Sequence, residues 1–178
     1  MTRLFRATVL FAALMLLSAS TVSATHGQPD REVPFGGGGT TADSYGDPST
    51  CPPEAHHRYF SAGQSIFTHL GLVTAEVTHC TWVDSATTGH FGPGTNTLTA
   101  ANGDTLVLSQ RGTFEFFLTP DGLFSFVDLE WVAISGTGRF EGATGSGQAA
   151  VLGDIWAGTS TAIYWGTIAY DASNRSSD

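Results

Sequence analysis

Ile134-Ser-Gly-Thr-Gly-Arg-Phe-Glu-Gly-Ala-Thr-Gly-Ser-Gly147 is the stretch whose reading decides the fold. Five glycines, Gly136, Gly138, Gly142, Gly145 and Gly147, interrupt a region otherwise rich in β-forming residues. Glycine in that setting marks a bulge, a turn or the close approach of a second backbone, and these devices curl a sheet. A strand pattern precedes Gly136-Thr-Gly138, but no helix pattern follows, and the spacing to the next glycine departs from a dinucleotide or phosphate loop. The glycines are therefore read as geometry.

The flanking sequence has the period of strands, and no window from Arg58 onward holds an apolar stripe at helical spacing. Residues 58–68 and 71–83 form the first two segments. The second alternates Leu72, Thr74, Glu76 and Thr78 against Val73, Ala75, Val77 and His79, as half-buried antiparallel strands do. A third runs from Gly89 to Ala100, and Asn102-Gly103 then suits the positive φ angles of a tight hairpin. Thr105 to Leu118 sets Leu106, Leu108, Phe114 and Phe116 against a solvated face of Thr105, Ser109, Arg111, Thr113 and Glu115. Pro120-Asp121-Gly122 turns into Leu123–Ile134, and after the glycine stretch come Gln148–Leu152 and Thr159–Tyr170. This pattern predicts an all-β fold of seven or eight strands, a barrel or a sandwich, with the clustered glycines favouring a barrel whose last strand closes against the segment 58–68.

The N-terminal part reads differently. Met1 to Ala24 carries Arg3 and Arg6, an apolar run from Ala7 to Leu17, and Val22-Ser23-Ala24, the pattern of a secretory signal peptide cleaved near Ala24. It has neither a lipidated cysteine nor paired arginines, and its apolar run falls short of the roughly 20 residues of a spanning helix. Secretion to an extracellular or periplasmic space, with no membrane span, is the expectation. Residues 25–53, poor in large apolar side chains and holding the Gly36–Gly39 run, read as a flexible lead-in. Residues 54–171 read as one barrel domain and 172–178 as a disordered tail.

Charge and cysteines narrow the function classes. All seven basic residues are arginines, and with 16 acidic residues the chain carries a formal charge of −9. Nucleic acid is excluded as a partner, and the absence of lysine excludes Schiff-base chemistry. Cys51 and Cys80 are the only cysteines, and an oxidising compartment predicts a disulfide between them.

The central stretch resembles the Gly-Gly-Thr-Gly-x-Phe-x-x-Ala-x-Gly segment of allene oxide cyclases and plant dirigent proteins, with Ser135 in place of the first glycine. Thr68-His69-Leu70-Gly71 and the turn from Ala100 to Asp104 resemble segments of secreted bacterial proteins of that kind, so the likeness spans roughly residues 66 to 170. It implies an eight-stranded antiparallel barrel with an apolar lumen, a scaffold that serves elsewhere to cyclise an unstable epoxide or steer radical coupling. No further motif carries the catalytic residues of either family onto this chain.

Three residues stand as lumen candidates. His69 lies between Phe67 and Leu70, where an imidazole serves either as a catalyst or as a fixed strand corner. Asp128 and Glu130 share a face with Phe124, Phe126, Val132 and Ile134, and a carboxylate among aromatics becomes a general acid. The opposite face, Ser125, Val127, Leu129, Trp131 and Ala133, is equally apolar, and the preferred reading puts both carboxylates outside in solvent. Histidines 56, 57, 69, 79 and 90 match no metal-ligand spacing, so neither a metal nor a cofactor is expected. Gly145-Ser146-Gly147 lacks the context of a nucleophile elbow.

Trp131, Trp156, Tyr164, Trp165 and Tyr170, with the phenylalanines between Phe91 and Phe140, exceed what one sheet face needs, and some suit a lumen. The expectation is a secreted barrel that binds a small apolar ligand or acts as an extracellular interaction module. The alternative is a cyclase or isomerase folding a reactive apolar substrate in the lumen, with Glu130 or His69 as its polar group. Nothing in the sequence fixes an oligomeric state.

Overall fold

The structure, a computed structural model, describes residues 31–171. The leader expected over 1–24 and the tail expected over 172–178 lie outside the described residues. Eight strands form one closed antiparallel barrel in chain order: β1 Val33–Gly46, β2 His57–Phe67, β3 Gly71–Val83, β4 Thr88–Ala100, β5 Thr105–Thr119, β6 Gly122–Gly136, β7 Thr144–Asp154 and β8 Thr159–Ala169. Every strand pairs with its sequence neighbour, and β8 returns to β1. All strand edges are thereby paired.

The lead-in expectation for residues 25–53 is corrected over Val33–Gly46, while residues 25–30 lie outside the described residues. Val33–Gly46 is a full strand, with Gly37–Gly46 paired to β2 and Val33–Ala42 to β8. The last strand closes against this one, not against 58–68. The glycine run that resembled a linker is a requirement of crowding: a Cβ at Gly37 would stand 2.1 Å from the Ile66 carbonyl, and one at Gly38 would stand 2.0 Å from that of Ala162. β1 is held by ladders on both sides more than by apolar side chains, although it delivers Phe35 to the core. Composition alone therefore under-reads it.

Side chains at alternate positions fill one end of the barrel. Phe35, Phe67, Val73, Leu98, Leu106, Leu108, Trp131 and Ile168 are buried there. Backbone pairing places Trp131, Gly147, Gly166 and Phe35 in one row across β6, β7, β8 and β1. The indole occupies the space over the two glycines, since a Cβ at Gly147 or Gly166 would lie 2.6 or 2.7 Å from its Cζ2. It meets Phe35 edge-on at 5.2 Å and donates from Nε1 to the Gln148 carbonyl at 3.1 Å.

The glycine stretch then seals that end. The β5–β6 register slips at Ile134, and a 3-10 turn at Gly138–Phe140 folds the β6–β7 connection over the barrel, leaving Phe140 0 % exposed. The Asn102-Gly103 hairpin locks against it. Asp104, itself buried, lies 3.4 Å from Arg139 Nε, and the Thr105 amide donates to Thr137 Oγ1 at 3.0 Å.

At the other end, the Cys51–Cys80 disulfide forms with a Cα–Cα distance of 5.7 Å and ties the β1–β2 connection to β3. Closing a loop of this length is worth about 3–4 kcal/mol by the chain-entropy account. Because Gly147 makes room for the floor of the barrel, Gly147→Val is expected to lower stability by about 1–3 kcal/mol and shift tryptophan emission. Urea unfolding followed by fluorescence checks this, and an unchanged midpoint would refute the packing account.

Candidate functional site

The packed core stops halfway. Above it, toward the end where β1 finishes and β2 begins, the lumen is an open cavity of about 470 Å³. Phe67, Ala75, Leu129 and Tyr164 form its lower wall, and Tyr45, His57, Val83, Phe116, Leu123 and Ile155 lie toward the mouth. Period-two alternation on every strand delivers these side chains inward.

Two polar groups interrupt the apolar lining. The first is a carboxylate on β1. Ser61 Oγ donates to Asp43 Oδ1 at 2.9 Å and Ser160 Oγ donates to Oδ2 at 2.5 Å, while Thr41 Oγ1 reaches Oδ1 at 3.5 Å. Residues from β1, β2 and β8 therefore fix one acid group. The Tyr59 hydroxyl lies 3.5 Å from Ser160 Oγ, and burial pushes this phenol well above the ordinary tyrosine range.

The second group lies deeper. Asn96 Nδ2 donates to the Tyr164 hydroxyl at 3.1 Å, and that hydroxyl donates to Gln110 Oε1 at 3.2 Å. Burial raises the Tyr164 phenol to about 12, so it stays a donor at any physiological pH. Asn96 is only 2 % exposed, and its Oδ1 has no partner. Whichever way the amide is turned, one polar end is left over on the lumen wall.

His79 completes the inner aromatic wall. Its ring lies 4.6 Å from Tyr59 and 4.2 Å from Phe91, with Nδ1 3.3 Å from Thr81 Oγ1. Burial holds this imidazole at about 4, with a Cys80 backbone hydrogen bond opposing the shift, so it is neutral at pH 7.

None of the three lumen candidates lines the cavity. Asp128 and Glu130 point outward from β6, where Glu130 accepts from Arg111 Nε at 2.6 Å across the β5–β6 ladder. The inward face is Ser125, Val127, Leu129, Trp131 and Ala133, and on that side the indole fills the space over Gly147 and Gly166. His69 sits on the exposed β2–β3 turn at the sealed end with φ of 68°, its Nε2 3.0 Å from the Pro34 carbonyl. It joins the turn to the start of β1. His56 accepts from the Val83 amide and His90 pairs with Asp84. Among the described residues no three His, Cys, Asp or Glu side chains converge as a metal set.

The residues that do line the site went unread for one main reason. Thr41, Asp43 and Tyr45 alternate with Thr40, Ala42 and Ser44, a strand period that the preceding glycines concealed. Asn96 shares the inward face with Leu98 and Ala100, but a single amide among threonines carries no signal of its own until its cross-strand neighbours are placed. Comparison with family models, with curated proteins and with solved structures finds no match to this chain.

Two expectations follow. The unfolded chain protonates His79 near 6.5 and the folded one near 4, so unfolding takes up a proton in that window and stability falls as pH drops through it. The loss is on the order of 3 kcal/mol at pH 4, and urea unfolding at pH 7 and 4.5 should show a smaller loss in His79→Gln. An equal loss in the variant would assign the effect to other groups. Glu130→Gln, which breaks an exposed pair, should change stability by less than about 1 kcal/mol and leave the lumen unaffected. Thermal and urea unfolding check that.

Proposed function

We propose that this chain is an exported barrel whose lumen binds a small, largely apolar ligand. One observation carries the reading: the barrel is packed solid at one end and left open at the other as an aromatic-lined cavity of about 470 Å³. A cavity of that size accommodates a small molecule and is lined as ligand sites are, mostly apolar with a few placed polar groups. The unpartnered Asn96 oxygen supports it, because a buried acceptor without a donor is costly and a ligand hydroxyl or N–H relieves that cost.

The leader pattern and the disulfide support action outside the cytoplasm. No helix among the described residues is long and apolar enough to cross a membrane. Kinship with allene oxide cyclase and dirigent proteins belongs to the proposal; it is supported by the eight-stranded antiparallel topology and the glycine stretch. The unfilled lumen favours the ligand reading over that of an interaction module.

A second reading, a cyclase or isomerase, draws on a specific feature. A carboxylate held by two serines stands near a phenol at the open end of the cavity. Such a pair suits proton transfer to a bound substrate. Asp43 and Tyr59, rather than Glu130 or His69, would carry it.

Titration with the neutral dye N-phenyl-1-naphthylamine tests the binding reading. Saturable fluorescence enhancement is expected with the native chain. It should be abolished in Ala162→Trp, which places a large ring in the lumen, provided the variant retains a cooperative thermal transition. No enhancement with the native chain, or undiminished enhancement in the folded variant, overturns the reading.

A further inference from the structure

The cavity has one charged lining residue. Among the described residues Asp43 is the only Asp, Glu, Lys or Arg on its wall, and the chain contains no lysine at all. Arg58, Arg111 and Arg139 belong to the outer face or the sealed end, where Arg111 pairs with Glu130 and Arg139 lies beside Asp104. Imidazoles are present at His57 and His79, but His79 is held neutral by burial. The Asp43 carboxylate is thus satisfied by neutral hydroxyls alone, from Thr41, Ser61 and Ser160. Hydrogen bonds of this kind hold a carboxylate in place without neutralising it.

The wall beside that carboxylate is aromatic. Backbone pairing sets Tyr45 opposite Tyr59 and Tyr59 opposite His79, while Asp43 stands opposite Ser61 one inward step deeper. The Tyr45 and Tyr59 rings meet edge-on at 5.5 Å, and Tyr59 lies 4.6 Å from His79. Burial first, and then the nearby Asp43 charge, push the Tyr45 phenol up. Aromatic faces attract cations, and a carboxylate set among them adds a point charge of the same preference.

Resting on the ligand-binding reading above, we infer that the lumen selects its ligand by charge: it takes a small amphiphilic amine, whose ammonium pairs with Asp43 beside the Tyr45 and Tyr59 rings. The apolar body of the amine fills the cavity toward Phe67 and Leu129. A neutral analogue of the same shape keeps the apolar contacts and loses the ion pair. An anionic analogue brings a like charge into a space with no fixed cation and is rejected.

Three ligands that share one skeleton test this: 2-(1-naphthyl)ethylamine, 2-(1-naphthyl)ethanol and 1-naphthylacetate, titrated calorimetrically at pH 7.5. The amine is expected to bind at least about tenfold tighter than the alcohol, and the acetate weakest, with the preference for amine shrinking as salt is raised. Asp43→Asn should lose that tenfold for the amine and leave the alcohol unchanged. Equal binding of amine and alcohol by the native chain, or an acetate that binds as well as either, overturns the charge selection while leaving the lumen as a binding site. Failure of all three to bind, together with failure of the neutral dye, overturns the binding reading itself. Should Asp43→Asn not fold, the native ranking and its salt dependence decide the matter alone.

Discussion

One indole laid over two glycines sets the character of this barrel. Trp131 occupies the space that side chains at Gly147 and Gly166 would fill, and its ring edge packs on Phe35 from the fourth strand of the same row. A row of large, absent, absent and large side chains fills a narrow cross-section without strain, where four medium side chains would leave gaps or overlap. Because the contact fixes which face of β6 looks inward, it also decides that Asp128 and Glu130 look outward.

The barrel divides along its axis as a result. Below the level of Phe67 and Leu129 the interior is a close-packed core; above it aromatic side chains and mutually bonded polar groups line the wall and the interior stays open. The polar groups are arranged in two tiers. Asp43 with its serines faces the solvent end, and the Asn96, Tyr164 and Gln110 cluster lies deeper. Within each tier the side chains come from different strands, which is how a closed sheet builds a site from distant residues.

Much of the fold is legible in the sequence, because alternation, turn residues and glycine position act locally. The segments from residue 58 onward fall close to β2–β8 and the disulfide forms as expected, while the turn at Asn102-Gly103 forms with positive φ at Gly103 and not at Asn102. The first strand is not legible, since its glycines answer to carbonyls of β2 and β8 that lie far away in the chain. The candidate site is less legible still. On β6 the outward residues Phe126, Val132 and Ile134 are as apolar as the inward ones, so no count of hydrophobic positions chooses between the faces. Asp43, Tyr59, Asn96 and Ser160 acquire meaning only through cross-strand register, which composition does not encode.

The pairing of Val33 with Ile168 puts the start of β1 and the end of β8 side by side at the sealed end. Anything joined to either side of the domain, such as a solid support, an affinity handle or a second protein, departs from the pole opposite the opening. The barrel is a cup whose wall begins and ends at its base, with its rim at the opposite pole.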